Sequence, residues 1–304
     1  MAFVVGITAA DVATYLMGPT PTHKGYIGAG TTSSTTYVID GLDFTNETSI
    51  NPSLSMSVVR GNHAGTQSDT YGIWAGGTGD LTSMEGINFY SVTNSTITAV
   101  LNTGRTLLAG VQSSIRGYFG GGNSVSGGIT GEIDGIRFDS NTAINPSITL
   151  SVARSQLSGV SSSVKGYWCG GFTTTQSSVI DGIQFSDETS ITPSATLSTT
   201  RTFTVGVQSS TKGYICGGGV GAGLTIIDSL QFSDDTTSTL AATLAVSTTR
   251  AAGLSSETAG YVCGGRIGAG INEITGIRFS DEAVINPSAT LTQARTNTAG
   301  VSNK

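Results

Sequence analysis

The 304-residue sequence predicts an all-β fold, a closed ring of six antiparallel sheets with four strands each. Three observations predict it. A Gly-Tyr-x-x-Gly-Gly segment recurs six times. A phenylalanine and an arginine recur in register with it. Short period-2 apolar runs with polar turns fill the space between these marks, and no amphipathic helix of roughly 10–15 residues intervenes.

The first mark reads Gly25-Tyr26-Ile27-Gly28-Ala29-Gly30, then Gly72-Ile73-Trp74-Ala75-Gly76-Gly77, then Gly117-Tyr118-Phe119-Gly120-Gly121-Gly122. It returns at Gly166–Gly171, Gly213–Gly218 and Gly260–Gly265, the leading glycines lying 47, 45, 49, 47 and 47 apart. The second mark is Phe44, Phe89, Phe138, Phe185, Phe232 and Phe279. The third is Arg60, Arg105, Arg154, Arg201, Arg250 and Arg295. Three marks in six registers identify an internal repeat.

Each unit resolves into four strands. A small-residue strand such as 157–163 follows the arginine, and a Ser-Ser-x-Lys-Gly turn leads to the Tyr-x-x-Gly strand. A Gly/Ser/Thr-rich loop precedes a third strand, Val179–Phe185 in the fourth unit, and a polar turn precedes a fourth around Ile191–Leu197. The first unit begins at its second strand, at Tyr26. The C-terminal segment Thr296–Ser302 is an unpaired first strand. It is expected to complete the N-terminal sheet, which closes the ring and removes an exposed edge.

A period of 45–49 residues, with four strands and an aromatic strand ending in Gly-Gly, resembles the kelch repeat. That resemblance covers residues 25–304 and implies a six-bladed β-propeller. The arginine before the first strand and the Tyr-x-x-Gly-Gly run match its pattern. The tryptophan usual late in each kelch blade is missing. Phe in the third strand stands instead, with Asn51-Pro52-Ser53, Asn145-Pro146-Ser147, Thr192-Pro193-Ser194 and Asn286-Pro287-Ser288 nearby.

Composition limits the function. Net charge is −6, which argues against capture of nucleic acid. No apolar run approaches the ~20 residues that span a bilayer, and no basic region announces a signal peptide. Charged residues are 11% and glycines number 43, so the surface is mostly uncharged Ser, Thr and Gly. Two histidines, His23 and His63, supply neither a hydrolytic triad nor a metal site. No cofactor and no enzymatic activity are expected. Cys169, Cys216 and Cys263 share one register and read as small buried apolar groups. The Tyr26, Tyr118, Tyr167, Tyr214 and Tyr261 series reads as inter-blade packing, and Asp187-Glu188, Asp234-Asp235 and Asp281-Glu282 as solvated turns.

The loop between second and third strands varies most, with 14, 12, 16, 14, 14 and 14 residues from the last motif glycine to the phenylalanine. It shares a face with the arginine register, and binding residues concentrate in such loops. The six arginines have two readings. They form a positive ring for an anionic ligand, or they tie neighbouring loops through Asp40, Glu85, Asp134, Asp181 and Asp228, as a repeated residue in a repeat protein usually does. Residues 1–24 lie outside the repeat. They read as a short helical arm whose Val12, Tyr15, Leu16 and Met17 dock under the propeller or onto another protein.

The Ser/Thr/Gly-rich repeats with Asn-Pro-Ser and Phe-Ser-Asp-Glu resemble propeller proteins of bacteriophage particles, such as tail appendages or capsid decorations. That resemblance implies a non-enzymatic virion surface protein. Its loop face would meet a host glycan or protein, and its arm would hold other virion proteins. A soluble kelch-like adaptor and a carbohydrate-active enzyme are the alternatives.

Overall fold

The computed structural model describes residues 23–220 and 222–303. The arm residues Val12, Tyr15, Leu16 and Met17 fall outside the described residues. The described chain is all strand and turn, and it forms six four-stranded antiparallel sheets arranged as a β-propeller. From axis to rim, blade 2 runs Ala64–Gln67, Tyr71–Ala75, Ser83–Asn88 and Thr93–Val100. Blade 3 runs Ala109–Gln112, Arg116–Gly120, Ile133–Arg137 and Thr142–Ile144; blade 4 runs Ser158–Ser161, Lys165–Cys169, Ile180–Gln184 and Thr189–Ile191. Blade 5 runs Val205–Gln208, Lys212–Cys216, Ile227–Gln231 and Thr237–Thr239; blade 6 runs Ala252–Ser255, Ala259–Cys263, Ile274–Arg278 and Val284–Ile285.

Blade 1 is assembled from both ends of the described chain. Ala299–Asn303 pairs antiparallel with Lys24–Thr31, with Tyr26 opposite Val301, and Thr35–Asp43 and Thr48–Ile50 complete the sheet. The closure expected from the sequence is therefore present.

The fourth strands are shorter than expected and begin earlier. In blade 4 the strand is Thr189–Ile191 rather than Ile191–Leu197. Pro193 lacks the N–H that a longer ladder would use. Pro52, Pro146 and Pro287 end the same strand in blades 1, 3 and 6. Blade 2 has no proline there, and its fourth strand extends for 8 residues; blade 5 also has none, yet its strand is only Thr237–Thr239, so proline is not the whole cause.

Local chemistry sets the turns. The Gly-Gly pair bends the chain out of each second strand, with φ of 67° and 113° at Gly121 and Gly122, a region open mainly to glycine. The hairpin between first and second strands is held by a serine. Ser162 Oγ accepts from the N–H groups of Val164 and Lys165 at 3.2 and 3.0 Å.

The core consists of six clusters, each shared by adjacent blades. One joins Val111, Tyr118 and Ile133 of blade 3 to Trp168, Ile183 and Phe185 of blade 4. The tyrosines stack on the next blade's phenylalanine, as at Tyr118–Phe185 and Tyr214–Phe279, with ring centroids 5.7 and 5.4 Å apart. Cys169, Cys216 and Cys263 are buried free thiols. Burial pushes Cys169 and Cys216 up to about 12, so they stay protonated.

At the axis the inner strands approach too closely for side chains. A Cβ on Gly159 would lie 2.0 Å from the Gly110 carbonyl oxygen, and one on Gly110 would lie 2.1 Å from that of Gly65. Gly65, Gly206, Gly253 and Gly300 meet their neighbours in the same way, so six glycines form a closed collar. The channel inside it encloses a cavity of about 120 Å³.

Candidate functional site

The arginine register separates into five and one. Arg60, Arg105, Arg154, Arg201 and Arg295 are completely buried. Each pairs with an acid of the third strand: Glu85, Asp134, Asp181, Asp228 and Asp40 respectively. Each guanidinium also donates to backbone carbonyls at the end of the second strand and the start of the third. Arg154 donates to Gly170 O at 2.7 Å and Val179 O at 2.6 Å, and Arg201 to Gly217 O at 2.9 Å and Ile226 O at 3.1 Å. The acids in turn accept backbone N–H groups of the incoming loop, as Asp181 does from Ser151 and Asp228 from Ser198. Burial lowers the pKa of Arg60, Arg154 and Arg295, and the facing carboxylates oppose that shift. These five side chains are internal struts and do not form a ring open to ligand.

Arg250 is the exception, because it is not in the register. The spacing from phenylalanine to arginine is 16 in five units but 18 here, and from arginine to the next glycine 12 in four units but 10 here. The arginine is displaced by two residues while the unit length is unchanged. Thr248 stands in the buried position, and its Oγ1 donates to Gly264 O at 3.3 Å. The acid is missing too: where blades 3, 4 and 5 have Asp134, Asp181 and Asp228, blade 6 has Thr275. Both halves of the ion pair have been exchanged for hydroxyls, so neither charge is left buried alone.

Displaced outward, Arg250 occupies a collar at the channel mouth formed by one residue from each blade junction. These residues are Asn62, Leu107, Gln156, Phe203, Arg250 and Asn297, all with φ between 55° and 61°. Their backbones form a closed ring. Each N–H donates to the preceding member's carbonyl, as Leu107 does to Asn62 at 2.7 Å and Phe203 to Gln156 at 2.8 Å. The arrangement turns the six side chains into a rim around the mouth, and the Arg250 guanidinium lies over the Phe203 ring, 4.0 Å from its centroid.

Beside this rim, a basin of about 650 Å³ lies across blades 4, 5 and 6. Phe172, Gln176, Arg266 and Gly268 contribute from loops between second and third strands, and Gln156, Phe203 and Arg250 from the rim. Arg266 is exposed and donates to Gly268 O at 2.6 Å. Neither Arg250 nor Arg266 forms an ion pair among the described residues. Burial and the nearby Arg266 charge hold the Arg250 pKa below its ordinary value, so the basin carries two cations that repel one another. Arg266, Phe172 and Phe203 carry no repeat mark, and sequence reasoning did not single them out.

The acidic turns have a structural task. Glu188, Asp235, Glu282 and Glu47 each accept from the tyrosine hydroxyl of the preceding blade: Tyr118, Tyr167, Tyr214 and Tyr261 respectively. In three of these a basic residue two before the tyrosine joins the contact: Arg116 with Glu188 at 2.7 Å, Lys165 with Asp235 at 2.8 Å and Lys212 with Glu282 at 2.7 Å; Ala259 stands there before Tyr261. No group of three or more His, Cys, Asp or Glu suited to a metal ion occurs among the described residues.

A comparison of the chain with protein-family models finds no match, and neither does a comparison with curated proteins.

Proposed function

We propose that this propeller is a non-enzymatic, kelch-like surface protein of a bacteriophage particle that binds an acidic glycan of the host through the basin between blades 4, 5 and 6. The observation that carries this reading is the uncompensated pair Arg250 and Arg266, set beside Phe172 and Phe203 on the face with the variable loops. Two guanidiniums without a carboxylate favour an anion, and Arg presents planar donors suited to carboxylate or sulfate. Aromatic rings offer faces to the apolar side of a sugar, and glutamine and threonine side chains offer hydroxyl-matching polar groups. The virion assignment rests on composition and repeat style. In it, the arm containing Val12, Tyr15, Leu16 and Met17 holds the propeller to other virion proteins.

The test is binding of the full chain to a panel of acidic and neutral glycans and to whole bacterial cells. Arg250→Gln/Arg266→Gln is compared in parallel, with its fold checked by circular dichroism. Saturable binding to acidic glycans, lost in the folded double variant, supports the reading. Equal binding by both forms, or none, contradicts it.

A further inference from the structure

Blade 6 contains a site that its five siblings fill from within. With Thr248 and Thr275 in place of the buried arginine and acid, a cavity of about 280 Å³ remains, lined by Ala245, Thr248, Gly264, Glu273, Thr275 and Asn286 among others. Ala245, Glu273 and Asn286 are exposed, so the cavity reaches the surface. Its acceptors match those that hold a guanidinium elsewhere. The Gly264 and Glu273 carbonyls occupy the registers of Gly170 and Val179, which receive Arg154 at 2.7 and 2.6 Å, and of Gly217 and Ile226, which receive Arg201. Among the described residues the side-chain donor to this set is the Thr248 hydroxyl, at 3.3 Å from Gly264 O, while Glu273 O also accepts the Gly264 N–H at 2.9 Å.

A countercharge is also present. Glu273 stands at the register of Glu132, whose carboxylate lies 3.5 Å from the buried guanidinium of Arg105. A cation entering the blade 6 cavity would therefore meet the Gly264 and Glu273 carbonyls and the Glu273 carboxylate, which also accepts the Asn272 N–H at 3.1 Å, but no counterpart of Asp134, the main partner of Arg105 in blade 3. Thr275 Oγ1 is turned to Asn286 Oδ1 at 3.2 Å, leaving the position of the missing acid uncharged.

We propose that this cavity is a binding slot for a guanidinium group, delivered either as the arginine side chain of a partner protein or as a small free guanidinium compound. The slot takes Thr248, Gly264 and Glu273 as its recognition set. It is separate from the anion basin and opposite in charge preference, so it stands whether or not the glycan reading holds.

The experiment is a titration of the ¹⁵N-labelled full chain followed by NMR. The probes are methylguanidinium and N-acetyl-arginine-methylamide, with N-acetyl-lysine-methylamide at matched ionic strength as control. Saturable shifts of the Thr248, Gly264 and Thr275 amides are expected, with a Kd of ~1–10 mM for so small a ligand. Thr248→Arg/Thr275→Asp, which restores the internal pair, should abolish them. Glu273→Gln should weaken binding by about three- to tenfold. Shifts with both guanidinium probes indicate a partner's arginine. Shifts with methylguanidinium alone indicate a free compound. Equal response to the lysine probe, no saturation, or an unchanged affinity in Glu273→Gln overturns the proposal even if the double variant fails to fold.

Discussion

The backbone N–H of Asn297 donates to the carbonyl oxygen of Arg250, 2.8 Å away, and Asn62 donates to Asn297 at 3.0 Å. These two bonds fasten the last inner strand into the hydrogen-bonded collar at the channel mouth. Residues at positive φ ordinarily cost stability unless they are glycine. Here that conformation aims each N–H at the neighbouring blade, and the collar recovers the cost in bonds between blades.

The collar is tested at Asn297, which has a φ of 59°. Proline there removes the donor and demands a φ near −65°, so Asn297→Pro should cost more than about 3 kcal/mol. Asn297→Gly keeps both bond and conformation and should stay within about 1 kcal/mol of the parent. Urea unfolding of the two variants measures the difference.

Blade 6 indicates how a strut can be dispensed with. Arg154→Thr alone leaves Asp181 buried without its partner and should cost roughly 3–5 kcal/mol. Arg154→Thr/Asp181→Thr copies Thr248 and Thr275 and should recover most of that loss. A thermodynamic cycle from denaturant unfolding gives the coupling energy. Simple addition of the two single costs would contradict the paired exchange.

Between blades 1 and 2 Tyr26 stacks on Phe89, but the hydrogen bond from tyrosine hydroxyl to acid is missing among the described residues. Tyr26 Oη is buried without a hydrogen-bond partner among the described residues, and burial, with a smaller push from Asp43, raises its pKa to about 12. The residue at the register of Glu188 and Asp235 is Val92, a β-branched side chain at φ 51°. Lys24 is already placed as Lys165 and Lys212 are. Val92→Glu should raise stability by about 0.5–1.5 kcal/mol, seen as a higher Tm. Tyr26→Phe in that background should remove most of the gain.

His63 makes stability depend on pH. It is 5% exposed at the channel wall, and neither ring nitrogen has a hydrogen-bond partner among the described residues. Burial, then the charges of Arg60 and Arg295, lower its pKa from 6.5 to about 3, against a weaker opposing pull from the Gly28 backbone. The unfolded chain thus binds a proton that the folded chain refuses. The stability linked to His63 is present above pH 6.5 and is lost as pH falls toward 3. His63→Leu, matching Leu108 and Leu157 at the same position of blades 3 and 4, should flatten the decline between pH 7 and 4 by roughly 2–3 kcal/mol. Unfolding midpoints across that range report it.

Much of the fold was readable because each blade repeats the same solution. Phe44 through Phe279 mark the third strand's end, and the segment after Arg295 could only be the missing strand of blade 1. The struts were half readable. Five acids for six arginines, and spacings of 18 and 10 around Arg250, already mark blade 6 as different. Burial of the other five is a property of packing, which spacing does not encode. The collar left no trace, since Asn62, Leu107, Gln156, Phe203, Arg250 and Asn297 share a backbone conformation and no side-chain chemistry. Arg266 and Phe172 sit in loops whose variation hides them from any repeat-based reading.

The most direct measurement is calorimetric titration of the full chain with an acidic oligosaccharide that binds it and with the carboxyl-reduced, neutral form of the same sugar. The expected result is that neutralising either side removes binding: the reduced sugar on the parent, and the acidic sugar on Arg250→Gln/Arg266→Gln, each at least about tenfold weaker. Raised salt should weaken the acidic pair and leave residual binding of the neutral sugar unchanged. Equal affinity for both sugars, or an acidic sugar bound equally well without the two arginines, would contradict it.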